Sequence, residues 1–295
     1  MIRSMTGYGD AERDSEAGRL RLEVKTVNHR FFNTSIKTPS GFDRFEKVIA
    51  DALRAHVSRG HVNAFLSIDR SAAAAREAAM IDVEKARAYQ AALDRLKEEL
   101  NLPGEPELSM MVRFSDIFRA PDVDRTAGVD EALIASLADE AGAACRAMRE
   151  AEGLRLSADL EERLSAISGH LDTVEARAPR RLVEQRDKLR AAVRELAEQV
   201  DVDEERLARE IAYLAEKWDL NEEVVRFRSH VELFREALGA DGDEAVGKRL
   251  SFLAQEMHRE ANTIGSKAND AELAQTSVSI KEELERIREQ VENVE

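Results

Sequence analysis

Between residues 160 and 178 the apolar side chains recur at alternating steps of four and three, at Leu160, Leu164, Ile167, Leu171, Val174 and Ala178. A stripe of that period stays on one side of a helix and must be covered by another helix, so it excludes an all-β fold and requires a helical partner. The period resumes after Pro179 in Leu182, Leu189, Val193, Leu196 and Val200, and returns in Ile280, Leu284, Ile287, Val291 and Val294. Pro179 is expected to bend or break the first helix. Spacing alone leaves open whether each seam closes within one chain, as a hairpin, or against a second copy.

The first 70 residues obey a different period. Arg19 to Asn28 alternates, with Leu20, Leu22, Val24 and Thr26 on one face, and Val62 to Ile68 alternates again after Arg59-Gly60. These runs predict half-buried strands. Between them Phe42, Phe45, Val48, Ile49, Leu53 and Val57 recur at helical spacing, with Ser40-Gly41 as its start. Helices are predicted from Val83 to Leu100 and near Met110 to Phe118, followed by a link at Ala120-Pro121-Asp122. The expected class is α+β, a small N-terminal α+β domain followed by a long, mainly α-helical region with coiled-coil-like hairpins. Its parts are set at residues 1–120, 121–205 and 206–295.

Aromatic residues make up only 5% of the chain and charged ones 35%, which suits long solvated helices. The formal charge of -15 speaks against a polyanionic partner until its distribution is counted. Residues 1–70 hold 12 Lys and Arg against 9 Asp and Glu, while the remainder holds 32 against 50. Nucleic acid would therefore favour the N-terminal part. Cys145, the single cysteine, lies in an Ala-rich helical pattern and reads as packing. No run approaches the ~18 apolar residues of a membrane span, and no signal-peptide core is seen, so a cytoplasmic protein is expected. Thr6-Gly7-Tyr8-Gly9 lacks the remaining features of a nucleotide loop and reads as a turn or bulge in a first strand.

Three polar clusters can carry chemistry. On one helix, Glu222, Glu223, Arg226 and His230 offer carboxylates, a guanidinium and an imidazole, a set able to hold and cleave a phosphodiester. The plain reading of Glu222 with Arg226 is an ordinary surface pair. Glu256 and Glu260 stand one helical turn apart beside the apolar positions Leu250, Leu253, Met257 and Ile264, and can ligate Mn²⁺ or Mg²⁺. Asn262-Thr263-Ile264-Gly265-Ser266-Lys267 then reads as a polar turn, with Lys267 able to offset charge. Finally, Asn28-His29-Arg30 and Arg59-Gly60-His61 put basic residues at strand ends, next to Phe31 and Phe32. Such neighbours suit single-stranded RNA, although two adjacent phenylalanines more often fill a core.

Ser4-Met5-Thr6-Gly7-Tyr8-Gly9, Val27-Asn28-His29-Arg30-Phe31, Asn221-Glu222-Glu223, the block Gln255-Glu256-Met257 to Ser266-Lys267-Ala268 and the ending Glu289-Gln290-Val291 to Glu295 together resemble the YicC/YloC family of bacterial proteins. The resemblance runs the full length. It implies a stress-induced, metal-dependent endoribonuclease, assembled as a hexamer around an opening that takes RNA. His258 and Gly265 depart from the family pattern and are given no catalytic role.

Under that implication Glu223, His230, Glu256, Glu260 and Lys267 are the expected catalytic residues, and Glu222, Glu223, Glu256 and Glu260 the expected metal ligands. Asn28, His29, Arg30, Arg59, His61, Arg226 and Arg259 are the expected RNA contacts. Two alternatives stay open. One is a non-catalytic RNA-binding adaptor that recruits another ribonuclease or other RNA-decay proteins. The other is metal-free attack by the 2′-hydroxyl with His29, His61 or His230 as acid and base.

Overall fold

The structure, a computed structural model, describes residues 2–69, 80–119, 126, 128–196, 203–240 and 246–295. Strands β1 (Gly7–Ser15) and β2 (Gly18–Val27) form a hairpin, and β2 pairs antiparallel with β4 (His61–Asp69). The edge strand β3 (Asn33–Lys37) pairs parallel with β4, and the crossover between them carries helix α1 (Glu46–Arg54), giving the order β1-β2-β4-β3. The predicted face of Leu20, Leu22, Val24 and Thr26 is buried, and Phe42, Phe45, Ile49, Leu53 and Val57 cover it as expected. Strand β3 escaped the sequence reading because five residues without a buried side chain leave no alternation to see.

Beyond the sheet a short ribbon, β5 (Met80–Ile81) with β6 (Phe118–Arg119), frames helices α2 (Val83–Leu100) and α3 (Leu108–Met111). Asp82 caps α2 by accepting from the Lys85 amide, and Asn101 ends it in the left-handed conformation. The link at Ala120 to Asp122 lies outside the described residues.

The main organiser is α4 (Glu131–Leu196), which serves two cores in turn. Its first turns lay Ile134, Leu137, Ala138, Ala141 and Cys145 on the sheet. Its middle commits Leu160, Leu164, Ile167, Leu171 and Val174 to a second core with α6 (Asn221–Gly239), α7 (Val246–Lys267) and α8 (Ala271–Val291). Ile280, Leu284, Ile287, Val291 and Val294 enter the same core. Both seams therefore close inside one chain. Pro179 does not end α4, which continues through it. Past it Leu182, Leu189 and Val193 are only half-buried, and Leu182 and Leu189 share a groove with Ile211 and Leu214 of α5 (Glu204–Lys217). Val200 and the side chain of Leu196 lie outside the described residues.

Gly7 and Gly9 are neither turn nor bulge. They sit in register in β1, opposite Thr26 and Val24. A Cβ on Gly9 would overlap the Ala141 carbonyl and the backbone of Cys145, so the glycine lets α4 cross the sheet in backbone contact. Cys145 is fully buried there, as predicted, and burial pushes its thiol pKa up.

Candidate functional site

Helix α7 carries the polar block, and its two faces do different work. Leu250, Leu253, Ala254, Met257, Ala261 and Ile264 are buried, while Lys248, Phe252, Gln255, Arg259, Asn262 and Ser266 are exposed in a continuous outward stripe. At 1.5 Å per residue the stripe runs about 27 Å. The expected polar turn at Asn262 to Lys267 is helix instead. Gly265 belongs to that helix because a side chain there would press on Ser277 of α8, and the turn comes later, at Asn269 with φ 40°.

The basic strand-end residues reach the start of this stripe through residues 292–295. Arg3 and Glu295 exchange backbone hydrogen bonds of 2.8 Å, and Met5 N donates to Asn293 O. Buried Arg149 donates to Ser4 O at 2.6 Å and pairs with the Glu295 carboxylate. Asn28 Nδ2 donates to Glu292 O at 2.6 Å, and Ser58 Oγ to Glu295 Oε1 at 2.6 Å. The β2–β3 loop and the turn before β4 are thereby held beside α7, and a groove opens between Arg59, Lys248, Phe252, Gln255 and Glu292.

In that area Arg30, Arg59 and Lys248 have no ion-pair partner among the described residues. The Arg59 guanidinium makes one side-chain hydrogen bond among the described residues, Nη2 to Met5 Sδ at 3.6 Å, and its Nε is buried without an acceptor. His29 and His61 meet edge to face at 6.2 Å, and His29 Nδ1 lies 2.9 Å from Phe31 O. Phe31 is 64% exposed under the Arg30 guanidinium, so it is not the core residue that base composition would favour. Phe32 is half-buried against the sheet core, with Arg54 over its ring. Asn28, His29, Arg30, Arg59 and His61 thus occupy one surface, and Arg259 lies farther along the α7 stripe without a carboxylate partner among the described residues.

At the opposite end of α7 the charged side chains are ion-paired or bound to carbonyls, with Arg181 Nε and Glu223 Oε2 buried and without a hydrogen-bond partner. Lys267 Nζ binds Glu223 Oε1 at 2.8 Å and Asp219 O at 3.1 Å. Lys267 is thus tied down by structure rather than held free to meet a substrate. Arg181, 1% exposed, donates to the carbonyls of Lys267, Ala268 and Trp218, and burial pushes its pKa down. Arg177 binds Asp270 at 2.7 Å, which holds that carboxyl below its usual range. None of these three clamping residues, Arg149, Arg177 or Arg181, stood out in the sequence.

The expected carboxylates separate by environment. Glu222 is exposed and paired with Arg226, which is thereby also accounted for. Glu223 is 6% exposed, with Oε2 buried and unpartnered. Glu260 is also 6% exposed and, like half-buried Glu256, has no cationic partner among the described residues. The Glu223 to Lys267 contact fixes the register of α6 against α7. Two turns on from Glu223 is His230, and two turns back from Lys267 is Glu260, so antiparallel packing sets these two at one level. His230 Nδ1 is buried there without a partner. Among the described residues no three His, Cys, Asp or Glu side chains gather at metal-ligand spacing. Glu222, Glu223, Glu256 and Glu260 therefore do not make one four-carboxylate site within a single chain.

Two family models cover nearly all of the sequence: the N-terminal region of "Endoribonuclease YicC-like" matches residues 2–158, and its C-terminal part residues 174–295. The chain belongs to the YicC-like family. Two relatives match over their full lengths and all of this chain, one from Clostridioides difficile (29% identical) and one from Haemophilus influenzae (30% identical), each named "Probable endoribonuclease YicC". In this YicC-like chain the gap between the two family regions falls in the middle of α4, along the stretch that carries Leu160, Leu164, Ile167 and Leu171 into the second core. No helix among the described residues is long and apolar enough to cross a membrane.

Proposed function

We propose that this chain is a cytoplasmic endoribonuclease that cuts RNA phosphodiester bonds, works as a homohexamer and uses a divalent cation, Mn²⁺ or Mg²⁺. One observation carries the reading. Arg59, beside the start of α7, and Arg259, Glu256 and Glu260, along it, have no ion-pair partner among the described residues. Unpaired charges of both signs suit a ligand that is itself a phosphate with its counter-ion.

A Mg²⁺ site needs only one or two protein carboxylates, because water and substrate phosphate complete its shell. Glu256 and Glu260, one turn apart, fit that requirement, whereas Glu222 is already neutralised by Arg226. When bound, such an ion polarises the scissile phosphate and favours ionisation of water. The chain's own residues do the rest. Arg59, Arg30 and Arg259 hold the RNA backbone, His230 is placed to hold or pass a proton through its free Nδ1, and Glu223 with Lys267 locks the register that brings His230 level with Glu260. Self-association is supported by the open apolar surfaces of α2 and α5, neither of which buries a residue fully, with Leu96, Leu100 and Tyr213 exposed.

The test is cleavage of a labelled RNA in Mn²⁺, Mg²⁺ or EDTA, with the Glu256→Gln/Glu260→Gln double variant checked for fold by circular dichroism. Metal-dependent cutting that drops at least about 100-fold in a folded variant is expected. Tight binding without cutting in any metal would assign the chain to the RNA-binding adaptors. Cutting that survives EDTA would shift the chemistry to His29, His61 and His230.

A further inference from the structure

The groove at the start of α7 has a composition that a track for phosphates alone does not need. Phe252 is 59% exposed on a helix whose other large apolar residues, Leu250, Leu253, Met257 and Ile264, are at most 4% exposed. It lines the groove together with Arg59 and Lys248, and Gln255 stands three residues on, on the same side of the helix. A ring so exposed contributes little burial to the core, while Arg59 beside it keeps a buried Nε without an acceptor. Ring, amide and unpaired cations in one groove match the parts of an unpaired nucleotide: a base face, a base edge and a phosphate.

We propose that this groove is a subsite for one unpaired nucleotide of single-stranded RNA, its base stacked on Phe252, its base edge read by Gln255 and its phosphate held by Arg59 and Lys248. A base within a duplex is stacked on both faces and cannot reach the ring, so the subsite selects unpaired segments. Phe31 under Arg30, on the loop that Asn28 ties to Glu292, extends the same surface toward the next nucleotide. The inference rests on the RNA reading above for its ligand but not on the cleavage step.

The experiment measures binding of the full chain in EDTA to a short single-stranded RNA carrying 2-aminopurine, and to a duplex of the same length. The expected result is quenching of the 2-aminopurine by the native chain, and about a tenfold weaker single-strand affinity in Phe252→Ala with duplex affinity unchanged. Phe252→Tyr should restore both quenching and affinity, whereas Phe252→Leu, which keeps an apolar side chain without an aromatic face, should restore neither, a difference that a lost structural contact would not predict. Lys248→Met should weaken both RNAs alike. Equal losses for strand and duplex in Phe252→Ala, or no loss, overturn the subsite. A changed sedimentation mass in that variant with unaltered fluorescence would make the face a protein contact and also overturn it. Cleavage failing in every metal while stacking persists would sink the nuclease reading and leave the subsite standing.

Discussion

The two ends of α7 hold the same kinds of residue in opposite states. At its end, Lys267 is bound to Glu223 and Asp219, Arg181 to three carbonyls, and Asp270 to Arg177. At its start, the Arg59 side chain hydrogen-bonds only a thioether among the described residues, and Phe252 is 59% exposed. Charge in a folded chain is ordinarily paired or dissolved, so the half-buried guanidinium of Arg59, without an ion pair among the described residues, suits surface kept for a partner, whereas the ion-paired and carbonyl-bound cluster, in which Arg181 Nε and Glu223 Oε2 alone lack a hydrogen bond, is scaffold. The same difference divides the residues that the sequence put forward. Lys267, inside the most chemistry-rich stretch, is fixed to its neighbours, while the basic residues of the strand ends are the ones left available.

Arg181→Met should give the largest effect, because it strands the carbonyls of Lys267, Ala268 and Trp218 at the end of α7. A loss of about 3 kcal/mol is expected, read as a lower urea midpoint at unchanged slope. If stability barely moved, the paired end would not be the scaffold described here. Arg59→Met is the counter-experiment. It deletes a buried donor that has no acceptor, so stability should change by less than about 0.5 kcal/mol in either direction. RNA affinity should instead fall about tenfold, with the salt dependence of binding shallower by roughly one counter-ion. An Arg59 variant that unfolds easily but binds RNA normally would exchange the roles of the two ends.

How much of this could be read from the chain alone depends on period and on distance. Residues 20–26 and the seams at 160–174 and 280–294 were legible because burial of one face writes a period into the sequence. The partners of those seams were not, since period names a face and not what covers it. Glu256, Glu260 and the strand-end cations were found by residue type. Arg149, Arg177 and Arg181 were missed because each acts on a segment far away in sequence, Arg149 on Ser4 and Glu295, Arg177 on Asp270 and Arg181 on Ala268. Phe252 gave no signal of its own in the sequence, and its exposure had to come from the fold. Gly9 showed the converse error, a glycine read as local backbone freedom that is in fact space for another helix.

The smallest effect tests whether the paired end is held by charge or by backbone alone. Asp270 caps α8, accepting from the Leu273 amide at 3.1 Å, and also binds Arg177. Asparagine is an equally good cap, so Asp270→Asn removes the charge and leaves the cap. Arg177 holds the Asp270 carboxyl below its ordinary range, and linkage then fixes the sign. The extra stability is fully present above the unfolded-state pKa of about 3.9 and disappears as pH falls through the lower folded-state value. Native and Asp270→Asn chains should therefore differ by a constant amount from neutral pH down to the carboxylate range, and converge below it. Urea unfolding across that series reads the difference directly. A gap that persists undiminished in strong acid would mean that the charge of Asp270 is not what holds this end of α7, and the contrast between paired and unpaired cations would have to rest on Arg181 and the Lys267–Glu223 pair.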